Sequence, residues 1–567
     1  MADAKDNDMG VDRRWFLKTA GIAAPALIAA RASAQEAGSE PAPAIHSLDT
    51  EVFGTPSDLI VETGSGNVRG YVSGGVRTFK GIPYGADTSG ANRFRPPVAP
   101  EPWAGVRDAF VYGATCPQMA PGVPGRMDFL LRPQYGHASE DCLNLNVWTP
   151  ETGTGGRPVM VWIHGGNYST GSSYAIGSQD GEALAGRDDI VVVSVNHRLN
   201  ILGHMDLEAV GAGCEFASSV NVGLLDLVQS LEWVRDNIAR FGGDPSNVTL
   251  FGQSGGGLKI THLCGMPSAR GLFHKAIVQS GSLVEVFDES MTSELAENAL
   301  SEMSLAATDI EALQSISIDE LQAAGHASVG AWRATSGFGN IWRTVGWAPR
   351  IEAGTIPWHP YSAEAAHISR DIALMAGSTL QEFNLSLFNP AAEAMTRDGL
   401  KDALAALYAD PEAVVVQAEM AYPQQSPSSL YSIISAASFN RRNVIDQCQA
   451  KAALGGAPAY LYQFAWETPV LDGLPRAYHC AELPFVFANA QKEIQATGGG
   501  AEADLIEAQV ASAWTSFART GNPSNAALPD WESVESHSAP TMIFDAPARF
   551  EAGRDEALLE AVANLRL

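Results

Sequence analysis

A serine framed by glycines, Gly252-Gln253-Ser254-Gly255-Gly256, is where residue types and spacing most directly suggest chemistry. In the pattern G-x-S-x-G a strand turns so sharply into a helix that glycine is needed at both flanks, leaving the hydroxyl strained and exposed at the sheet's carboxyl edge. The flanks here fit. The apolar run Asn247–Gln253 reads as a strand, and the segment after Ser254 reads as a helix whose N-terminus favours developing negative charge. A serine so placed suits acyl transfer, which also needs donors aimed at a tetrahedral oxyanion. His164-Gly165-Gly166-Asn167, at the end of the strand-like run Pro158–His164, is the natural source. The backbone N–H groups of Gly166, Asn167 and Gly255 are the expected oxyanion hole, the last because it follows the nucleophile. His164 itself reads as a structural histidine packed under the loop.

The elements that must position these groups are also legible. Apolar, β-branched runs at Pro158–His164, Ile190–Asn196, Asn247–Gln253, Lys275–Ser280, Ile372–Gly377 and Ala459–Phe464 are separated by helix-length segments. That alternation predicts an α/β fold with a large, mostly parallel sheet and helices on both faces. Residues 223–240 carry Leu224, Leu227, Leu231, Val234 and Ile238 at helical spacing, an amphipathic helix feeding the strand that precedes Ser254. No repeat or linker interrupts the chain, so 56–567 is expected to be a single domain. A helix-rich stretch at about 285–364 breaks the strand series and carries Trp332, Trp342, Trp347 and Trp358. It is expected to form a cap or pocket wall, the alternative being that these tryptophans are core.

Composition narrows the class. With 567 residues, 46% hydrophobic and 18% charged, the chain can bury a large core. A net charge of −28 would repel phosphate backbones and anionic headgroups, so no nucleic acid partner is expected, and the acidity reads as solubility of an exported protein. Asp12-Arg13-Arg14-Trp15-Phe16-Leu17-Lys18, the apolar stretch Ala20–Ala30 and Ala32-Ser33-Ala34 together read as a twin-arginine signal over 1–34, cleaved after Ala34. The apolar stretch falls short of the roughly 20 residues that a stable membrane span needs, an uncleaved anchor being the alternative. Residues 35–55, rich in Pro and Ala, read as a flexible segment, and the expected location is periplasmic or secreted from a bacterium. Six cysteines suit an oxidising compartment, their spacing leaves fifteen pairings open, and the lack of any CxxC pair argues against a zinc site.

Many segments in order resemble the type-B carboxylesterases, the family of cholinesterases and bacterial p-nitrobenzyl esterases, from about Leu59 to Trp531. They include Lys80-Gly-Ile-Pro-Tyr84, Asn92-Arg-Phe-Arg-Pro-Pro97, Glu140-Asp-Cys-Leu-Asn-Leu-Asn-Val147, Asn221-Val-Gly-Leu-Leu-Asp226 and Phe517-Ala-Arg-Thr-Gly-Asn-Pro523. The resemblance implies an α/β-hydrolase fold with helical insertions capping the site. It carries the acid to Glu382, in Gly377-Ser-Thr-Leu-Gln-Glu-Phe383, and the base to His479, in His479-Cys-Ala-Glu-Leu-Pro-Phe-Val-Phe487. The order Ser, Glu, His is also the one this fold predicts. The resemblance further implies ion pairs Arg93 with Glu140 and Arg198 with Asp226, a hydroxyl at Ser280 near Glu382, and a Cys116–Cys142 disulfide. Glu482 reads as a local helix-start partner.

Some positions depart from the family pattern. Gln253 stands where Glu is usual, removing a negative charge from beside the serine and disfavouring cationic esters. Gly255 replaces Ala, and Asn167 replaces Gly or Ala. Phe383 replaces the Gly after the acid, which bears on the turn there.

The implied reaction is ester hydrolysis through an acyl-enzyme on Ser254, with His479 as base and Glu382 orienting it. It requires no cofactor and no metal. The expected substrates are small to medium uncharged or aromatic esters. Rival readings are a non-catalytic binding protein of the same fold, or a hydrolase whose natural bond is a carbamate, thioester or polymer ester. Oligomeric state stays open.

Overall fold

Val191–Val195 is five residues with no exposed member, a sequence that suits only a strand covered on both faces. The computed structural model, which describes residues 59–119, 125–335 and 345–566, places it in the middle of a large sheet. The export signal, the segment 35–55 and Trp342 lie outside the described residues.

In chain order the strands are β1 (Ile60–Thr63), β2 (Gly66–Arg69), β3 (Tyr71–Ser73), β4 (Val76–Pro83), β5 (Val106–Asp108), β6 (Asn144–Thr149) and β7 (Gly153–Ile163). They continue with β8 (Val191–Val195), β9 (Phe241–Gln253), β10 (Lys275–Gln279), β11 (Ala373–Thr379), β12 (Ala459–Phe464), β13 (Thr541–Phe544) and β14 (Arg549–Glu551). β1, β2 and β5 form a small separate sheet, and the other eleven order as β14-β13-β12-β11-β10-β9-β7-β8-β6-β4-β3. From β8 to β13 every neighbouring pair is parallel, while β6, β4, β3 and β14 are antiparallel edges. This is the α/β-hydrolase sheet. All six predicted strand runs fall in its parallel part.

The predicted helix over 223–240 spans Val222–Asn237 and tightens to a 3-10 turn at Ile238–Arg240 before β9 begins. Its apolar residues Leu224, Leu227, Leu231 and Val234 are all buried against the sheet. Between β10 and β11 lie the helices Glu289–Met303, Ile310–Ser315 and Ile318–Thr335, within the predicted insertion. Trp332 and Trp347 there are buried among core residues, and Trp358 is half-buried. Trp332 and Trp347 follow the alternative reading, core burial, and Trp358 does not. A second helical group, which the sequence reading did not single out, fills the connection between β11 and β12. It runs from Leu385–Phe388 through Pro427–Ala436 and a π-turn at Ala437–Arg441 to Arg442–Ala453.

Buried ion pairs tie loops to this frame. Arg93 meets both oxygens of Glu140 at 2.7 and 2.8 Å, and Arg198 meets those of Asp226 at 2.9 and 2.6 Å, as the resemblance implied. A third, unforeseen, joins Arg350 to Asp206 with 2.5 Å between Nε and Oδ2. Two-point contacts with the charges otherwise satisfied are the form in which burying an ion pair is tolerable. The implied Cys116–Cys142 bridge is absent. All six cysteines are free thiols, and the two named are buried, with Leu199 N–H donating to Cys116 Sγ at 3.3 Å. Among the described residues no helix is long and apolar enough to cross a membrane.

Candidate active site

β9 ends at Gln253, and the helix Gly255–Leu263 begins at once, so Ser254 has to absorb the whole turn. It does so at φ 55° and ψ −123°, a conformation that non-glycine residues hold only when their surroundings over-determine it. Those surroundings are backbone. Ser254 N–H donates to Gln279 O of β10 at 2.7 Å, and a Cβ on Gly256 would overlap Ile163 O at the end of β7. The motif's glycines are therefore required by close approach.

The oxyanion loop follows β7. Asn167 has φ 53°, and a Cβ on Gly255 would overlap the backbone N, Cα and O of Asn167. Two of the expected donors, the N–H groups of Asn167 and Gly255, are thus drawn together beside Ser254 by the missing methyl group. Neither they nor the N–H of Gly166 donate to another backbone group among the described residues. His164 is buried, bonds the carbonyl of Gly165 at 2.9 Å and stacks on His197 at 4.8 Å. Burial holds its pKa well below the ordinary histidine value, so it is neutral, in keeping with a structural role. Beneath it Lys259, fully buried, donates to the His164 carbonyl at 3.1 Å, and burial pulls its ammonium down to about 7.

Glu382 follows β11 and His479 follows β12, neighbouring strands, and their segments join. His479 N–H donates to Glu382 O at 2.7 Å, and Nδ1 lies 2.5 Å from Glu382 Oε2. With the carboxylate accepting the Nδ1 proton, Nε2 keeps its lone pair, the tautomer a general base needs. The other carboxylate oxygen accepts from Thr379 N–H at 3.0 Å. The hydroxyl expected from Ser280 does not take part. Ser280 lies near the end of β10 with φ 50°, and its Oγ is buried without a partner.

Ser254, Glu382, His479 and Asn167 all line one cavity of about 580 Å³. No hydrogen bond joins the Ser254 hydroxyl to the imidazole, a looseness common before substrate binds. The lining also includes Leu258, Ser280, Gly281, Ser282, Leu283 and Val345, and, from the segment after β11 and the second helical group, Gln381, Phe383, Leu385, Phe388, Tyr431, Ser432, Ser435, Ala436, Phe439 and Asn440. Of the stretch 285–364 only Val345 reaches the cavity among the described residues. The facing wall comes instead from the second helical group.

Glu482 departs from its predicted part. It precedes the short helix Leu483–Val486 without capping it, and accepts from Gln279 Nε2 at 3.0 Å, while Gln279 accepts from Trp514 Nε1 at 3.1 Å. Burial pushes this carboxyl up to about 7. Spacing three residues beyond His479 could not show that the side chain turns inward.

A strained serine after a central strand shares one cavity with a carboxylate–imidazole pair that follows neighbouring strands, on a sheet of the α/β-hydrolase class. Residues 57–558 match the model of the carboxylesterase family, and the chain belongs to it; it is an ester-hydrolysing enzyme. It is 35% identical to the para-nitrobenzyl esterase of Bacillus subtilis over 506 residues, covering 87% of this chain and 96% of that one. It is 34% identical to the phenmedipham hydrolase of Pseudarthrobacter oxydans over 518 residues, 88% and 96% of the two chains. A solved esterase of Clostridium hathewayi, described as hydrolysing aliphatic aromatic polyesters, superposes with a TM-score of 0.77 at 33% identity, covering 91% of this chain and all of that one.

Proposed function

We propose that Ser254 is the nucleophile, His479 the general base and Glu382 the residue that orients it, with Gly166, Asn167 and Gly255 donating to the oxyanion. Ser254 attacks the ester carbonyl as His479 Nε2 takes its proton. The same proton passes to the departing alcohol, and water then hydrolyses the acyl-enzyme by the reverse relay. The observation that carries this reading is the Glu382–His479 pair opening onto the cavity that Ser254 lines.

The proposed substrates are small to medium uncharged or aromatic esters. Apart from Glu382 and His479 the lining holds no titratable group but the Tyr431 phenol, and aromatic rings dominate its outer wall. Gln253, neutral where the family usually has a carboxylate, removes from beside the serine a negative charge that would favour a cationic ester. Activity of relatives on a nitrobenzyl ester and on aromatic polyesters agrees with such a wall. The Arg13-Arg14 signal further supports export to the periplasm or beyond.

Turnover of p-nitrophenyl esters by the parent and by Ser254→Ala tests the assignment. The variant is expected to lose at least about 10⁴-fold in kcat. Equal activity would remove Ser254 from the mechanism, and inertness of both would favour a binding protein. Faster hydrolysis of a choline ester than of its uncharged isostere would contradict the substrate class.

A further inference from the structure

His479 touches more than its acid. The Phe383 ring stacks on the imidazole with centroids 4.5 Å apart and planes 28° from parallel. Gln253 Nε2 stands 3.0 Å from His479 Nε2 and 3.4 Å from Nδ1. A donor aimed along one ring nitrogen's lone pair would have the other nitrogen far behind it. The near-equal distances therefore put the amide against the flank of the ring, where it leaves the Nε2 lone pair open. Phe383 covers one face, so the opposite side falls to Gln253.

The stack is not core packing. Phe383 is 59% exposed, among the most exposed large apolar side chains of the described chain, so its ring stays beside the imidazole although little burial holds it there. The backbone explains why a ring can stand here at all. The left-handed residue of the turn is Glu382, at φ 46°, so the position after the acid does not demand glycine. One segment then presents a carboxylate to Nδ1 and, from the next residue, an aromatic face to the ring. The two contacts restrain different motions. A single hydrogen bond fixes where Nδ1 sits but lets the imidazole tilt about that point, and a stacked ring blocks the tilt.

We propose that Phe383 is a positioning residue, holding the imidazole so that Nε2 points at the cavity and the Ser254 hydroxyl. This rests on the assignment of Ser254, His479 and Glu382 given above. Because one imidazole serves both acylation and deacylation, the effect belongs in kcat and not in substrate binding.

The test compares Phe383→Leu, Phe383→Tyr and Phe383→Gly with the parent on p-nitrophenyl acetate, with melting temperature measured alongside. Leucine keeps the apolar bulk without the aromatic face and is expected to lower kcat about three- to tenfold, the worth of an aromatic pair, with KM and melting temperature nearly unchanged. Glycine is expected to fall at least as far, and tyrosine, which restores the stack, to return within about twofold of the parent. Parental kcat in the leucine and glycine variants overturns the proposal. So does a rise in KM at constant kcat, which would make the ring a substrate contact, and so does a tyrosine variant as slow as leucine while equally stable. If Ser254→Ala stays active, the underlying site assignment falls. If that variant is dead and the Phe383 series is flat, only the present inference falls.

Discussion

On one side of the cavity Ser254, Asn167, Gly255 and Gly281 meet backbone to backbone, with room for no further methyl group; on the other, Phe388 of the second helical group leaves 41% of its surface to solvent. The first side hangs from the parallel strands and holds the proposed nucleophile and oxyanion donors. The second is helical, includes the π-turn at Ala437–Arg441, and shapes what can enter; such local widening of a helix often marks a functional wall. Reaction and selection are thus built on parts with opposite tolerance. A substitution beside the serine should strike turnover, and one on the helical wall should strike substrate preference.

The sharpest way to break this contrast is Gly255→Ala, a change toward the residue that relatives usually carry. Here the added Cβ would overlap the backbone of Asn167 and displace two oxyanion donors, so kcat should drop about 10²- to 10³-fold, the cost of losing one such donor. Steady-state kinetics showing near-parental kcat would mean that the loop yields more easily than its packing implies.

A second expected effect lies behind the site. Burial raises the Glu482 carboxyl from its ordinary 4.5 to about 7 in the folded state. The folded chain therefore binds this proton more tightly than the unfolded chain. The stability it contributes is fully present below about pH 4.5 and is lost as pH rises toward and through about 7, on the order of 3 kcal/mol in all. Glu482→Gln keeps a neutral partner for Gln279 and should flatten that part of a melting-temperature profile taken from pH 4.5 to 8. An unchanged slope would show that the carboxyl is ionised inside.

The smallest effect is expected on the opposite wall. Phe388→Ala should alter KM for bulky aromatic esters a few-fold, leaving kcat on p-nitrophenyl acetate and the melting temperature almost untouched, because the ring is half in water already. A large loss of kcat would erase the distinction between the two sides.

What the amino-acid sequence discloses follows the same division. The parallel strands announce themselves as apolar runs because both faces are covered, and the nucleophile turn is legible because its glycines have no substitute. β6 stayed hidden although every residue in it is buried, because Asn144, Asn146 and Thr149 break the apolar run. The need of Asn146 is met by partners distant in sequence, Ser173 and Ser194, to which it donates at 3.0 Å each. Glu382 and His479 lack a local signal of comparable strength and became visible only through the resemblance. The helical wall was missed for the converse reason. Its residues at 431–440 are ordinary for a helix, and only the fold turns them toward Ser254. The misjudged disulfide has the same origin, since proximity of Cys116 and Cys142 could be inferred and their covalent state could not.

Glu382 grips its histidine twice, by main chain and by side chain, whereas Ser254 belongs to a different strand with β10 in between. On the assignment proposed above, acid and base therefore travel as one body, and mechanical error in the assembly collects in a single gap, the one the proton must cross first. Heat, cosolvent or a distant mutation that flexes the sheet can widen that gap without disturbing the carboxylate–imidazole partnership. Such an enzyme would fall silent while still folded, and would recover as soon as the strands relaxed.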